Sequence, residues 1–201
     1  MKLGFLASNS GSSFRAILAA IEDGSLDAEA RVIVSNKTGA PALRFAATHG
    51  LPTRVIPTLK SPDTADAALV DTFNEFGVDL VILSGYLRKL GPRMLDRFHN
   101  RVLNIHPSLL PRHGGHGMYG RRVHDAVLAA GDSVSGATVH IVDGEYDHGV
   151  NLAHAEVPVS MGEDAEALER RVIAAEPALF IETLQKLVAG TLRLPDVSTD
   201  D

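Results

Sequence analysis

The sequence predicts a single α/β domain in which helices cover both faces of a mostly parallel β-sheet. Short apolar runs alternate along the chain with longer segments whose apolar residues recur every three or four positions. The runs are typical of buried strands, and the longer segments of helices packed against a core. Because parallel neighbours need crossover connections, the alternation indicates a Rossmann-like three-layer α/β/α arrangement with ligands at the carboxyl ends of the strands.

The first half of the chain contains the candidate strands of the parallel part of the sheet. They occupy Lys2–Ala7, Ala30–Ser35, Thr53–Ile56, Leu80–Ser84 and Arg101–Ile105. Three segments of helical period lie between them, at Ser13–Glu22, Ala40–His49 and Ala65–Phe76. Each places alanine and larger apolar residues on one side, which predicts helices that face the core.

The second half of the chain begins with a glycine-rich stretch, Pro107–Gly120, that shows no apolar period. This stretch predicts a long functional loop. The elements expected after it are a helix over Arg121–Ala130, strands over Ala137–Val142 and Val150–Val157, and a helix over Asp164–Val188. A kink is expected in the last helix near Pro177. Residues 191–201 are expected to form a polar C-terminal tail, which leaves residues 1–190 as one domain.

Composition limits the classes of function. With 201 residues and 45% hydrophobic content, the chain can bury one sizeable core but not two. The absence of cysteine excludes disulfides, zinc–thiolate sites and thiol nucleophiles, and it favours the reducing cytoplasm. A net charge of -6 opposes binding to nucleic acid, and the first apolar run is too short to span a membrane. We therefore expect a cytoplasmic protein with small-molecule partners.

The turn after the first strand, Ser8–Ser13, leads directly into a helix. Free backbone N–H groups at a helix N-terminus attract anions, Gly11 permits a tight turn, and the hydroxyls of Ser12 and Ser13 can add hydrogen bonds to a phosphate. The alternative is an ordinary serine N-cap. A dinucleotide fingerprint is not matched, since it needs three spaced glycines.

Asn104 and His106 stand at the end of a predicted strand, two positions apart. Residues at this spacing share one face of a strand, so the amide and the imidazole can point at one reacting atom. An amide that stabilises an oxyanion beside an imidazole that moves a proton is suited to acyl transfer. The alternative is a capping asparagine and a hydrogen-bonded histidine with structural roles only.

An acidic loop, Val142–Gly149, joins the last two predicted strands. A carboxylate brought against His106 would favour the protonated ring and make it a better proton donor. Asp147 is our candidate, with Asp143 and Glu145 as substitutes. The alternative is an aspartate that serves only the turn.

A metal site is a weaker hypothesis, based on His106, His113 and His116. No helical His-Glu-x-x-His run is present, and a single glycine-rich loop forms a poor rigid cage, so we expect no metal. The other histidines considered are interpreted as surface or packing residues: His49, His99, His124 and His154.

Together these motifs resemble the folate-dependent formyltransferases, over roughly Met1 to Gly190. The most specific elements are Asn104–Pro111 and Gly136–His140, with Asp147 at the expected position. The resemblance implies a catalytic set with two supporting residues: Asn104, His106 and Asp147, supported by Thr138 and His140.

The resemblance also implies a reaction and its ligand sites. A formyl group would pass from 10-formyltetrahydrofolate, as co-substrate, to the amine of 5-phosphoribosylglycinamide through a tetrahedral oxyanion, without a metal. The phosphate would lie on Ser10, Gly11, Ser12 and Ser13, and the ribose on Glu176. The implied folate-binding residues are Leu87, Arg88, Lys89, Leu90, Asn104, Val142, Asp143, Gly144, Glu145, Tyr146 and Asp147.

Two alternatives remain open from the sequence: a formyltransferase that acts on a nucleotide-linked amino sugar, and a non-catalytic folate-binding module. The chain departs from the usual family pattern at Ser13, His148 and Ile173, and its loop Gly114–Arg122 is longer. The expected assembly is a monomer or a homodimer.

Overall fold

A central sheet of seven strands organises the part of the chain that the computed structural model describes, residues 1–59 and 61–196. The strands are β1 (Lys2–Leu6), β2 (Glu29–Ser35), β3 (Thr53–Val55), β4 (Leu80–Leu83), β5 (Val102–His106), β6 (Val134–Ile141) and β7 (Asn151–Pro158). The helices are α1 (Ser12–Glu22), α2 (Pro41–Thr48), α3 (Pro62–Glu75), α4 (Pro92–Arg97), α5 (Arg121–Ala129) and α6 (Ala165–Val188).

The strand order is β3-β2-β1-β4-β5-β6-β7. The pairs from β3 to β5 are parallel, whereas β6 runs antiparallel to both β5 and β7. This confirms the predicted α/β class with a mostly parallel sheet between helices. The order reverses at β1, and ligands of such sheets bind beyond the carboxyl ends of the strands at this point.

Helices cover both faces of the sheet because neighbouring strand residues point to opposite sides. On one face Phe5 of β1 packs in a cluster with Phe14 of α1 and Phe180 of α6. On the other face Leu6, the next residue, packs in a cluster with Phe73 of α3 and Met94 of α4. Both faces of the parallel strands are therefore buried.

Helix α4 was not expected from the sequence, because its six residues are too few to show a helical period. The carboxylate of Asp66, on α3, accepts hydrogen bonds from the backbone N–H groups of Arg93 (2.8 Å) and Met94 (3.3 Å). A carboxylate distant in sequence thus accepts hydrogen bonds from the free N–H groups of the first turn, and the local sequence does not show this contact.

One strand and one helix begin three residues earlier than predicted. Strand β6 begins at Val134, not Ala137, because its pairing with β7 extends to Pro158. Gly136 permits this pairing, since a Cβ there would overlap the carbonyl oxygen of Ala155. Helix α3 begins at Pro62, a residue that fits the first helical turn, rather than at Ala65.

Helix α6 runs as one 24-residue element with Pro177 inside it. After it, the backbone oxygens of Pro195 and Asp196 accept hydrogen bonds from Arg101 (3.1 Å) and Asn100 (3.3 Å). Residues 197–201 of the predicted tail lie outside the described residues, and the boundary at residue 190 stays a prediction. None of the described helices is long and apolar enough to cross a membrane.

Candidate active site

Strand β5 places Asn104 and His106 at its carboxyl end, opposite His140 and Thr138 of the antiparallel β6. The amide nitrogen of Asn104 lies 3.0 Å from Nε2 of His140, and Nδ1 of His140 lies 3.0 Å from the carbonyl oxygen of Ile141. Because a carbonyl oxygen only accepts, we assign the His140 proton to Nδ1. Nε2 then accepts from the Asn104 amide, whose second N–H stays free.

His140 is only 2% exposed, and its environment keeps the ring neutral. Burial lowers the pKa of His140, although its hydrogen bond to the Ile141 carbonyl and the charge of Asp147 act in the opposite direction. A neutral ring retains the lone pair that the Asn104 amide needs as an acceptor. His140 therefore orients Asn104 through one fixed hydrogen bond.

His106 and Asp147 meet although they come from separate segments. Nδ1 of His106 lies 3.3 Å from Oδ2 of Asp147, and the two side chains are 4% and 11% exposed. Asp147 adopts a left-handed backbone conformation, with φ of 55°, and its Oδ2 also accepts from the backbone N–H of Gly115 at 2.9 Å. The carboxylate thus joins the loop after β6 to the glycine-rich loop.

The Asp147 carboxylate remains ionised near neutral pH. Burial by itself would raise the pKa of Asp147, but the hydrogen bond and the charge of His106 outweigh this. The N–H of Gly115 and the charge of His140 add to the effect, so the pKa lies below its usual value. A negative charge consequently stands beside the His106 ring.

The glycine-rich loop holds the other side of His106. Nε2 of His106 lies 2.9 Å from the backbone oxygen of His113, and His113 itself contacts Asp132 through Nε2 at 2.7 Å. Arg112 pairs with the same carboxylate. Both nitrogens of His106 therefore face acceptors, an arrangement that the doubly protonated ring satisfies completely.

Thr138 supports this loop from β6. Its hydroxyl donates to the backbone oxygen of Ser108 (2.7 Å) and accepts from the backbone N–H of Leu110 (3.1 Å). Thr138 is 1% exposed, so water does not replace these bonds. The residue acts on the turn after His106 and not on the cavity itself.

A cavity of about 720 Å³ opens beside Asn104, His106 and Asp147. Its other walls are the segment Gly85–Leu90, which follows β4, the glycine-rich loop and one face of α6. Glu176, on that face, is 9% exposed. Burial raises the pKa of Glu176 to about 7, although the charge of His106 opposes the shift.

The whole sheet and the site at its edge match a known family model, described as formyl transferase, over residues 1–184. The chain belongs to the formyl transferase family.

Similar proteins include enzymes of several organisms. Phosphoribosylglycinamide formyltransferase of Haemophilus influenzae is 32% identical over 197 residues, which cover 97% of this chain and 91% of that protein. The chloroplastic phosphoribosylglycinamide formyltransferase of Vigna unguiculata is 40% identical over 92% of this chain. This chain spans only 60% of that relative's length, and 64% of the Arabidopsis thaliana one.

Among solved structures, glycinamide ribonucleotide transformylase 1 from Symbiobacterium toebii superposes with a TM-score of 0.87 at 34% identity. The match covers 98% of this chain and 94% of that structure. A formyltetrahydrofolate deformylase from Pseudomonas syringae has a TM-score of 0.85 at 23% identity, which shows a shared fold alone.

In this member of the family, most of the sequence-predicted site residues line the cavity. They are Ser12, Ser13, Leu87, Arg88, Lys89, Leu90, Asn104, His106, His140, Val142, Asp143, Glu145, Tyr146, Asp147 and Glu176. Ser10, Gly11, Gly144 and Thr138 do not line it. The backbone oxygen of Ser10 is instead used by Arg15, at 2.9 Å.

The start of α1 is not a serine-capped helix end. Gly11 occupies the N-cap with φ of 63°, and no side chain caps the helix. Among the described hydrogen bonds, Phe14 N–H donates to Ser84 Oγ at 2.9 Å, and none is donated by the backbone N–H groups of Ser12 or Ser13. These two groups remain available to an anion in the cavity.

The sequence interpretation assigned His124 to the surface or to packing and did not place it among the site residues. His124 is 1% exposed and lines the cavity. A signal was present, since His124 shares the buried face of α5 with Val123 and Val127. A polar ring on an apolar helix face either has a buried partner or faces a cavity.

No group of three or more potential metal ligands among His, Cys, Asp and Glu occurs in the described residues. His113 is engaged with Asp132, and the ring of His116 lies 5.6 Å from that of Tyr146. His113 therefore already has a carboxylate partner within the protein.

Proposed function

We propose that this formyl transferase moves the formyl group of 10-formyltetrahydrofolate to the primary amine of 5-phosphoribosylglycinamide, a step of purine biosynthesis. The observation that carries the proposal is the meeting of Asn104, His106 and Asp147 at the edge of one cavity. The names of relatives that the chain matches over most of its length support the choice of acceptor.

The amine attacks the formyl carbon, and the carbonyl oxygen becomes a tetrahedral oxyanion. The free N–H of Asn104 donates to this oxygen, while His140 prevents the amide from turning away. A protonated His106 adds a second donor through Nδ1. The 3.3 Å contact between Nδ1 and Asp147 is longer than most hydrogen bonds, so this N–H group can turn to the oxyanion. Fixed donors in a buried site stabilise such charge strongly.

Collapse of the intermediate requires one proton to leave the attacking nitrogen and one to reach the departing folate nitrogen. His106 supplies the second proton, so that tetrahydrofolate departs as a neutral amine. The ionised Asp147 accepts the first proton directly or through water, and it stabilises the charged His106 ring before transfer.

Both substrates have proposed positions along the cavity. The folate pterin lies between Leu87–Leu90 and Val142–Asp147, and the phosphate of the acceptor lies at the free N–H groups of Ser12 and Ser13. Glu176 receives the ribose hydroxyls. A carboxyl group with a pKa near 7 can both donate to and accept from hydroxyl groups.

The proposal includes a cytoplasmic location and small-molecule partners without nucleic acid or membrane. The absence of cysteine and the net charge of -6 support these two statements. The working unit is proposed to be a monomer or a homodimer.

An absorbance assay of tetrahydrofolate formation tests the function. The purified protein receives 10-formyltetrahydrofolate with phosphoribosylglycinamide, with an amino-sugar nucleotide, or with no acceptor. We expect turnover only with phosphoribosylglycinamide. Turnover only with the amino-sugar nucleotide would show that the proposed acceptor is wrong. Turnover without any acceptor would indicate a hydrolase. Folate binding without turnover would indicate a non-catalytic folate-binding module.

A further inference from the structure

His124, on α5, is a buried polar residue that the proposed chemistry does not use. It lines the same cavity as Asn104 and His106, with 1% of its surface exposed. Among the described residues, neither ring nitrogen takes part in a side-chain hydrogen bond, and Nδ1 is shielded without any partner. A buried nitrogen without a partner lowers stability, so its presence needs a functional explanation.

The protonation of His124 follows from its surroundings. Burial lowers the pKa of His124; the charges of Glu169 and Asp125 oppose this shift, and those of His106 and Arg121 reinforce it. The ring is therefore neutral at pH 7, with one N–H and one lone pair. An unpartnered buried donor is costlier than an unpartnered acceptor, so the shielded Nδ1 keeps the lone pair. Nε2, which is absent from the fully buried atoms without a partner, therefore carries the proton in a residue that lines the cavity.

The wall around His124 is built by α5 and α6. Glu169, Ile173 and Glu176 all line the cavity, and their spacing of four and three residues places them on one face of α6. The carboxylate of Glu169 is already held by Nε of Arg121 at 3.0 Å. Nε2–H of His124 is thus a neutral donor on α5, which packs against the helix that carries Glu176.

We propose that His124 binds the acceptor substrate, and that its Nε2–H donates one hydrogen bond to an oxygen of the phosphoribosyl part. This inference rests on the proposed function and deepens it. The bond gives a partner to Nε2, whereas the shielded Nδ1 stays an acceptor without one. His124 accordingly serves acceptor binding at the expense of stability.

Calorimetric titration of the whole protein with phosphoribosylglycinamide tests the assignment, together with KM values for both substrates. His124→Leu removes the donor and should raise the acceptor Kd and KM about 3- to 10-fold, the worth of one neutral hydrogen bond. KM for 10-formyltetrahydrofolate should stay unchanged, and the melting temperature without ligands should stay equal or rise. His124→Gln, whose amide reaches near the position of Nε2, should retain most of the affinity.

Val127→Ala is the matched control, because Val127 is equally buried in α5 and does not line the cavity. It should lower the melting temperature without changing the acceptor Kd. His124→Asn, too short to reach the Nε2 position, gives a second variant if the leucine variant does not fold.

The outcomes separate this inference from the proposed function. Unchanged acceptor binding by His124→Leu or His124→Asn, with normal binding by the wild-type protein, would overturn the role of His124 alone. Failure of the wild-type protein to bind phosphoribosylglycinamide would overturn both.

Discussion

The amide nitrogen of Asn104 and Nε2 of His140 lie 3.0 Å apart across the antiparallel pair of β5 and β6. Since the lone pair of His140 can accept only one N–H of the amide, the other is directed by the same contact. The contact therefore fixes the orientation of the amide that we propose as the oxyanion donor.

Asn104→Ala should therefore lower kcat about 100- to 1000-fold while the protein remains folded. The reason is the loss of a donor whose value appears only when charge develops on the formyl oxygen. Steady-state kinetics and thermal unfolding check both parts. Asn74→Ala, which removes an exposed contact to Arg97, is the control and should retain full kcat. A kcat within threefold of wild type would remove Asn104 from the mechanism.

Thr138→Val should destabilise the protein by roughly 2 kcal/mol and lower kcat, because the backbone groups of Ser108 and Leu110 lose their buried partner. The turn that carries the His113 carbonyl to His106 would then shift. Denaturant unfolding and kcat are the measurements. Thr183→Val is the matched control, since Thr183 is equally buried but donates to Leu179 within α6. Equal losses in both variants would argue against a special role for Thr138.

Glu176 should make stability depend on pH. Its pKa is about 7 in the folded protein and 4.5 ordinarily, so between these values the folded state holds a proton that the unfolded chain has released. The free energy of unfolding therefore falls as pH rises from 4.5 to about 7, by at most roughly 3 kcal/mol, and is then constant.

Glu176→Gln removes this titration. The variant should match wild type at pH 4.5 and exceed its stability at pH 8, as measured by urea unfolding at both values. Glu182→Gln, on the exposed side of the same helix, keeps Glu176 and should show the same pH dependence as the wild-type protein. A stability difference that does not change with pH would contradict the assignment to Glu176.

Gly149→Ala should destabilise the protein by about 1 to 3 kcal/mol and lower kcat. A Cβ at this position would overlap the carbonyl oxygen of Ile141, and relief of the overlap would move the adjacent loop that carries Asp147. Thermal unfolding and kcat test this expectation. Gly144 lies in the same loop, and a Cβ added there would have nothing within 4 Å. Gly144→Ala should therefore leave the stability and kcat nearly unchanged. Comparable effects from both substitutions would show that crowding is not the cause.

Local patterns predicted most of the fold. The apolar runs that became β1, β2, β4 and β5 show no strict alternation because both of their faces are buried against helices. Helix α4 was missed because its stability comes from the Asp66 carboxylate on another element, which no local period encodes.

The candidate site likewise contains residues that local patterns predicted and one that they did not. Asn104 and His106 were predictable as a pair because alternation along a strand is a local property. The position of His124 on the cavity was not predicted, since a helical pattern identifies a buried face but does not tell whether that face meets a core or a cavity.

The sequence by itself determined the α/β class, the strand that carries Asn104 and His106, and the family to which their motif points, because these depend on residue types at short spacing. Only the tertiary structure decided that Asp147 and Gly115 meet at His106, that His140 fixes the Asn104 amide, and that Glu176 has a raised pKa. The physical reason is that hydrogen bonding and desolvation depend on segments brought together by the β5–β6 pairing and by the packing of α6.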